Sequence, residues 1–162
     1  MIPASVDIQL SFKDANGDLI NNDVVRYIPK GTIFKTENNV EFISIQDVYI
    51  PIGIKVYSIS TQQKTFNDNM LIGVTDGTDD QVFSLGSNYV NDSLYLEVGG
   101  EIWELVNTLG RSTPEDKHFI VDISVDKIAY IKFGDNINGK KPGAGLELIG
   151  DYYTSQGLLG NV

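Results

Sequence analysis

The chain has 162 residues, of which 41% are apolar and 21% charged, a composition typical of a folded globular protein. This length suits one domain, or at most two small ones, with an ordinary buried core. Twelve basic residues stand against twenty-two acidic ones, which gives a net charge of −10. Direct binding to nucleic acid is therefore not expected, because neutralising phosphates requires clustered lysine and arginine. Without cysteine the chain forms neither disulfides nor cysteine-ligated metal sites.

Hydropathy gives no sign of membrane insertion or secretion. No run approaches the roughly 18 apolar residues that a membrane helix needs. The first residues, Met1-Ile2-Pro3-Ala4, offer neither a basic segment nor an apolar one, so no signal peptide is predicted.

At the start of the chain, apolar and polar residues alternate with a period of two residues, the pattern typical of strands. Apolar residues alternate with polar ones over Val6–Phe12, which predicts a half-buried strand. Asn16-Gly17 is a strong turn signal, since both residue types tolerate a positive φ. Val24–Ile28 is predicted to be the strand that returns from this turn.

Three further strands are predicted before residue 60. A turn at Pro29–Thr32 leads into Ile33–Thr36, and a second turn at Glu37–Asn39 leads into Val40–Ser44. Ile54–Ile59 is another β-rich run.

Thr61–Asp80 is the least patterned stretch and is rich in Asn, Asp, Gln, Thr and Gly. We expect it to be mostly an exposed loop, with at most a short strand at Met70–Val74. Its exposure makes it a candidate for partner contact, together with the terminal segment Tyr153–Val162.

The second half is more regular. Leu94–Val98 and Ile102–Val106 flank Gly99-Gly100, which predicts a hairpin. Thr113–Asp116 predicts a turn or one short helical turn.

Another hairpin and a last strand follow. Phe119–Val125 and Ile128–Phe133 are separated by the turn Asp126-Lys127, and Leu146–Tyr153 is the final strand. No window has the period of 3.6 residues that a long amphipathic helix requires.

The spacing of these strands predicts the fold class. Roughly eight to eleven short strands with regular turn signals indicate an all-β fold, an antiparallel sandwich or barrel-like domain with little helix. We expect a single domain over residues 1–162, with two sub-lobes at about 1–90 and 91–162 as the alternative.

Gly134–Lys140 has the spacing of a nucleotide-binding P-loop, but its surroundings argue against one. The next residue is Lys141 rather than the serine or threonine that would hold magnesium. Pro142–Gly145 then follows, so no helix N-terminus faces the phosphates. We therefore expect a tight loop between two strands and no cofactor.

Two other candidates for chemistry are weak. His118 is the single histidine, and no Gly-x-Ser-x-Gly motif accompanies it, so we expect a structural or exposed histidine. Asp76–Asp80 offers oxygen ligands for calcium but lacks the spacing of an EF-hand loop, so we expect a solvated acidic loop and no metal. No catalytic residue is predicted, and the chain is not expected to be an enzyme.

Aromatic side chains are spread over many predicted strands, which favours core and sheet-face positions over a carbohydrate-binding platform. They are Tyr49, Tyr57, Tyr89, Tyr95, Trp103, Tyr130, Tyr152 and Tyr153. A glycoside hydrolase stays open, because two facing carboxylates cannot be named from the sequence alone.

The last third of the chain carries an ordered series of motif residues. A strand runs into Phe-Gly-Asp, a Gly/Pro loop and a further strand follow, and the series closes on Gly-Asn-Val. Its members are Phe133, Gly134, Asp135, Gly139, Pro142, Gly145, Tyr153, Gly157, Gly160, Asn161 and Val162. In order and spacing the series resembles the baseplate J-like family, the large wedge subunits of contractile tails.

The first half of the chain agrees with this resemblance. Ile28–Phe34 resembles the family's Ile-Pro-x-Gly-Thr-x-Phe turn, with Phe42 and Asp47-Val48 at the usual offsets. Asp92–Val98, continued through Trp103, resembles its middle hairpin.

The resemblance spans about residues 6–162 and has two departures. Asn136 stands where the family commonly has glycine, although asparagine also tolerates the left-handed conformation. Family members are usually longer, with helical segments before this region and domains after it, so we expect a fragment or a minimal version of a longer baseplate subunit.

The resemblance implies a structural role. Wedge subunits of this kind pair with each other and with a second large wedge protein in a ring around the central spike and hub. We therefore expect a scaffold domain of a phage tail or related contractile injection system. Its location would be the baseplate of the virion tail, assembled in the host cytoplasm, or the cytoplasmic baseplate of a phage-derived machine.

Other baseplate subunits are the expected partners, including self-association of the full-length protein, with no nucleic acid, membrane or small-molecule substrate. The motif series is then a structural loop motif, shaped by Gly134, Gly139, Pro142, Gly143 and Gly145. Replacing Gly134 by valine should destabilise the fold if Gly134 has a positive φ. The rival hypotheses are a carbohydrate- or receptor-binding β domain of a tail tip or adhesin, and a glycoside hydrolase fragment.

Overall fold

Strands are the regular structure of residues 1–156, the part of the chain that the computed structural model describes. Strands make up 47% of the described residues, which contain no helix, so none of them forms a helix that could cross a membrane. The predicted all-β class is confirmed.

Thirteen strands lie in residues 1–156, more than the sequence predicted. They are β1 (Ser5–Ser11), β2 (Arg26–Ile28), β3 (Ile33–Lys35), β4 (Glu41–Ser44), β5 (Val48–Ile50), β6 (Val56–Gln63), β7 (Thr65–Val74), β8 (Val82–Gly86), β9 (Tyr95–Val98), β10 (Glu101–Leu105), β11 (His118–Ile123), β12 (Ala129–Phe133) and β13 (Glu147–Thr154).

These strands belong to two compact units. Unit 1 comprises Met1–Ile2 and Phe66–Thr154, and unit 2 comprises Pro3–Thr65 together with the residues from Ser155 onward. The chain therefore passes into unit 2 near its start and leaves it at Phe66, while residue 90 lies inside unit 1, shortly before β9. The charge is divided unequally, since the sequence places a net −9 in unit 1 and −1 in unit 2.

Unit 2 is a half-barrel. Its four-stranded antiparallel sheet has the order β1-β6-β4-β3, and β2 pairs with β5 in a separate ribbon. The core consists of Val48, Ile50 and Ile59, against which partly buried apolar side chains pack, including Leu10 and Phe12. The apolar positions of β1 thus face the core, as the alternation predicted.

The turn after β1 forms as expected, but the pairing of the strand that follows was predicted wrongly. The side chain of Asp14 accepts hydrogen bonds from the N–H groups of Asn16 (2.9 Å) and Asp18 (3.0 Å), and Lys13 and Leu19 form an isolated bridge. Beyond that bridge the chain leaves β1, since β1 pairs with β6 and β2 pairs with β5.

Asn22 accounts for this departure. Its buried side chain accepts a hydrogen bond from the N–H of Ile54 (2.7 Å) and donates to the carbonyls of Val24 and Pro51 (both 2.8 Å). Leaving these buried groups unpaired would cost about 1–3 kcal/mol, so the chain before β2 is held against the segment after β5.

The expectation of an exposed loop over Thr61–Asp80 is wrong for most of that stretch. β6 continues to Gln63, and β7 occupies Thr65–Val74. β7 lies at one end of its sheet beside β13, where polar side chains are tolerated; Asn67, for example, donates to the carbonyl of Tyr152 (3.2 Å). Such a strand lacks the apolar alternation on which the sequence prediction depended.

Unit 1 is a nearly closed barrel built from one seven-stranded sheet in the order β7-β13-β9-β10-β11-β12-β8. The predicted hairpins β9–β10 and β11–β12 are confirmed, and Gly99 and Gly100 both have a positive φ in the first of them. β10 and β11 are parallel, so residues 106–117 form a crossover between them. The two ends of the sheet meet closely, since a Cβ added at Gly73 of β7 would lie 2.6 Å from the ring of Phe83 on β8.

The core of unit 1 lies inside this barrel. Its buried residues are Leu85, Tyr89, Leu94, Leu96, Val98, Trp103, Phe119, Ala129, Ile131, Phe133 and Leu148. Phe133 has three aromatic neighbours, with its ring centroid 5.2 Å from that of Trp103, 6.1 Å from Phe83 and 6.5 Å from Phe119. The pairs with Trp103 and Phe83 are edge-to-face, an arrangement that adds stability beyond the buried area.

Truncation of the barrel core should be costly. Phe119 is 0% exposed, so we expect Phe119→Ala to lower the free energy of unfolding by about 3–5 kcal/mol through lost burial and a cavity. Urea denaturation would measure the change. Phe66→Ala is the matched control, because Phe66 is half-exposed and only its tilted contact with the Tyr153 ring is lost; we expect a loss of about 1 kcal/mol. Equal losses in both variants would contradict this placement of the core.

Candidate functional site

Most of the motif residues lie in the segment between β12 and β13, residues 134–146, called the motif loop below. Asp135 organises its first half: the carboxylate accepts hydrogen bonds from the N–H groups of Asn138 (2.8 Å) and Ile137 (2.9 Å). These backbone donors favour the charged form and lower the pKa of Asp135 below its ordinary value. The loop therefore has a fixed conformation built around one exposed carboxylate.

Asn136 fills the position where the resembling family commonly has glycine. Its φ is 68°, so the left-handed conformation predicted to be tolerated is adopted. Its N–H donates to the carbonyl of Gly139 (2.9 Å), and its side-chain oxygen accepts from the N–H of Lys141 (2.8 Å). The second bond is one that glycine could not make, so this departure adds a contact to the loop.

Gly134 is required for a different reason from the one expected. Its φ lies outside the left-handed region, whereas Gly139 and Gly145 have φ values of 90° and 82°. A Cβ added at Gly134 would overlap the carbonyl group of Gly139 and lie 2.6 Å from the carbonyl oxygen of Asn138. The constraint is the close approach of two backbone segments, which no side chain allows.

Thr75 fixes the second half of the loop. This buried residue donates its hydroxyl to the carbonyl of Gly143 (2.5 Å) and accepts from the N–H of Leu146 (2.9 Å). Its carbonyl accepts from the N–H of Gly145 (2.7 Å). Pro142 is fully buried beside it. Thr75 lies in the stretch predicted to be exposed loop, and its polar, unpatterned neighbours gave no signal of this role.

His118 lies near the motif loop, between a serine that it meets through a hydrogen bond and a glutamate at ion-pair distance. The hydroxyl of Ser112 lies 2.8 Å from Nδ1 of His118, and Nε2 lies 3.6 Å from a carboxylate oxygen of Glu104. Ser112 is buried on the crossover, and a Cβ added at Gly139 would lie 3.6 Å from its side chain. These contacts link the crossover to β10 and β11.

The acidic stretch Asp76–Asp80 is occupied by contacts of its own. The carboxylate of Asp76 accepts from the N–H (2.8 Å) and the hydroxyl (2.7 Å) of Thr78, and these bonds lower its pKa. Asp79 lies 2.9 Å from Nζ of Lys141. Across residues 1–156, no three His, Asp or Glu side chains converge as a metal site would require.

The P-loop spacing of the motif loop does not produce a phosphate cradle. Two of the N–H groups that would face a phosphate, those of Ile137 and Asn138, are bonded to the carboxylate of Asp135. Residues 140–146 lead directly into β13, so no helix dipole faces the loop there.

The turn that carries the first half of the resemblance is equally well bonded in unit 2. The hydroxyl of Ser44 accepts from the N–H of Thr32 and donates to the carbonyl of Pro29 (both 2.9 Å). Asp47 accepts from the N–H of Lys30 (2.7 Å). The offset of Asp47 noted in the sequence therefore has a physical basis, because this carboxylate caps the turn.

The structure brings some of the motif residues together and separates others. Phe133 anchors the motif loop in the core, and Gly134, Asp135, Gly139, Pro142 and Gly145 shape it. Tyr153 lies apart on β13, where its ring contacts Phe66 with centroids 5.1 Å apart. Gly157, Gly160, Asn161 and Val162 lie outside the described residues.

The aromatic residues have two kinds of environment. Tyr89 and Trp103 are buried in the barrel, as the sequence predicted. Tyr49 is instead exposed and stacks on Tyr27, which sequence reasoning had not singled out. The two rings lie side by side because β2 pairs with β5, a pairing that the sequence did not predict.

Comparison with known proteins adds no family assignment: no family model matches the chain, and no curated protein matches it. The resemblance to the baseplate J-like family therefore stays a prediction that depends on the residues described above.

Substitutions at two glycines of the motif loop would test the close approach. We expect Gly134→Ala to lower the free energy of unfolding by about 2 kcal/mol or more, because the new methyl group overlaps the backbone of Gly139. Gly143→Ala is the control, since an added Cβ there meets nothing within 4 Å, and a change of at most about 0.5 kcal/mol is expected. Chemical denaturation of both variants is the measurement; equal stability would show that the segments can move apart.

The carboxylate of Asp135 predicts an acid-dependent loss of stability. The pKa of Asp135 is lower in the folded protein than in the unfolded chain, where it is near 4. The charged carboxylate therefore stabilises the fold at pH values above 4. This stabilisation is lost as the pH falls through the folded-state pKa. In Asp135→Asn the denaturation midpoint should be lower at pH 7 and should fall less between about pH 4 and pH 2 than in the wild type.

The exposed Asp126, in the turn between β11 and β12, provides the control for this experiment. Asp126→Asn should keep the wild-type pH profile. If the denaturation midpoint of Asp135→Asn falls in parallel with that of the wild type between about pH 4 and pH 2, the loop carboxylate does not contribute to the pH dependence of stability.

Proposed function

We propose that this chain is a scaffold domain of a phage-tail-like baseplate wedge that mediates protein–protein assembly around a central hub. The observation that supports this most directly is the construction of the motif loop. Gly134, Asp135, Gly139, Pro142 and Gly145, which carry part of the resemblance, lie in one hydrogen-bonded loop. The tip of this loop presents Ile137 with 70% of its surface exposed.

The conformation of this loop suits it to docking. The carboxylate of Asp135 and the amide of Asn136 bond to the loop backbone, and Thr75 secures its far end. A loop already fixed in its bound conformation loses little entropy on association, so more of the contact energy contributes to affinity. An uncovered isoleucine on a rigid loop is a suitable anchor for a pocket on a partner.

The polar groups near this loop support an interaction role over catalysis. The Ser112 hydroxyl is buried beneath the loop, and the loop amides are bonded to Asp135. Asp79 is paired with Lys141. The proposal accordingly assigns no reaction, cofactor or small-molecule substrate to this surface.

The partners in this proposal are other baseplate subunits, including further copies of the full-length wedge protein. The location is the tail baseplate of a virion or the baseplate of a phage-derived injection machine. The net charge of −9 on unit 1 favours partners whose contact surface is neutral or basic, because like charges brought together at an interface weaken association.

Assembly with purified wedge subunits of the same tail tests the proposal. Light scattering of the mixture should give a mixed complex for the wild type. We expect Ile137→Asp to weaken this complex at least about 30-fold, because a charge replaces the apolar anchor, while thermal stability stays unchanged.

Val125→Asp is the matched control, since Val125 is almost fully exposed at the β11–β12 turn of the same unit. It should assemble like the wild type. A wild-type chain that remains monomeric with every subunit, or a complex insensitive to Ile137→Asp, would count against the proposed interface.

A further inference from the structure

Unit 2 carries an exposed aromatic pair whose position is fixed by other side chains. Tyr27 on β2 and Tyr49 on β5 are cross-strand neighbours, 51% and 64% exposed. Their rings stack with centroids 4.7 Å apart and planes 24° apart. The hydroxyl of Tyr27 donates to the carboxylate of Asp47 (3.1 Å). The ring of Tyr27 is thus held at one face and at its tip, although it is not part of the core.

The ring of Tyr27 borders a groove of about 810 Å³. The floor is apolar and includes Leu10, Phe12 and Ile50, which belong to the core of unit 2 or pack against it. A volume of this size lies within the range of small-ligand sites, which combine apolar walls with a few placed polar groups.

The rim of the groove supplies those polar groups. Lys13, Asn21, Asp23 and Arg26 line it, and the guanidinium of Arg26 lies 3.7 Å from the carboxylate of Asp23. Amide, carboxylate and guanidinium groups are planar and bind two neighbouring polar atoms at once. Both donors and acceptors are present, and the side chains on the rim carry mixed charge.

We propose that this groove binds a saccharide, with one pyranose ring stacked on Tyr27. A pyranose has an apolar face of C–H groups and a polar edge of neighbouring hydroxyls. The ring of Tyr27 matches the face, while Asn21, Asp23 and Arg26 match hydroxyl pairs along the edge. Because Lys13 and Arg26 outnumber the single carboxylate of Asp23 there, the groove accepts a carboxylated sugar as well as a neutral one.

The same lining indicates binding without cleavage. Glycoside hydrolysis uses two carboxylates that flank the scissile bond, and Asp23 is the one acidic residue along the groove in the described part of the chain. The inference is independent of the assembly role proposed for unit 1, since none of its residues belongs to the motif loop.

Saturation-transfer NMR with glucose, galactose, N-acetylglucosamine and glucuronic acid tests the proposal on the intact chain. At least one of these sugars should receive saturation from the protein, and the ring C–H protons should receive the most. Tyr27→Ala should weaken binding about tenfold or more, while Tyr27→Phe, which retains the ring, should bind within about threefold of the wild type. A stronger signal for glucuronic acid than for glucose would assign the carboxylated sugars as ligands.

The control is Tyr95→Ala, since Tyr95 is a half-exposed tyrosine on β9 of unit 1. It should leave binding unchanged. If Tyr27→Ala lowers the melting temperature of the protein, Arg26→Ala, which alters only the rim, decides the question by its own loss of affinity.

Three results would overturn the proposal. These are the absence of saturation transfer to all four sugars, equal binding by the wild type and the rim and ring variants, and a concentration-dependent dimer that Tyr27→Ala abolishes. The last result would assign the aromatic pair to contact between two copies of the chain.

Discussion

The close approach of Gly134 and Gly139 is the contact on which the most distinctive part of this protein depends. Two backbone segments lie so near each other that a single methyl group would overlap the opposite carbonyl. This allows the chain to reverse immediately after the buried Phe133 and to fold back over the crossover that carries Ser112. Without it, the short reversal in which Asp135 accepts from the N–H groups of Ile137 and Asn138 could not close.

Side chains that bond to the backbone replace regular secondary structure around both motif segments. Asp135 and Thr75 do this in unit 1, and Asn22, Ser44 and Asp47 do it in unit 2. Short polar side chains are suited to this because they reach N–H and C=O groups a few residues away, which would otherwise need a strand or a helix as partner. The protein can therefore hold irregular loops in fixed shapes without a helix or strand beside them.

Sequence reasoning recovered what depends on local pattern. The alternation of β1 and the Gly99-Gly100 hairpin were predicted because each is encoded in neighbouring residues. It missed what depends on distant partners, namely the pairing of β2, the strand β7 and the role of Thr75. The motif loop was located correctly, but the reason for Gly134 was not, since a contact five residues away sets it rather than its own φ. The Tyr27–Tyr49 stack could not be predicted, because it depends on the pairing of β2 with β5.

The order of the strands in unit 1 has a consequence for biosynthesis. β13 is the last strand of the described chain, yet it lies between β7 and β9 in the sheet. While the protein emerges from the ribosome, β7 must therefore wait, without its neighbour, until some seventy further residues have been translated. The strands β1 to β6 of the other unit are complete before β7 appears. Until β13 is made, the edge of β7 that it covers stays unpaired, and the polar side chains of β7 suit the strand to that delay.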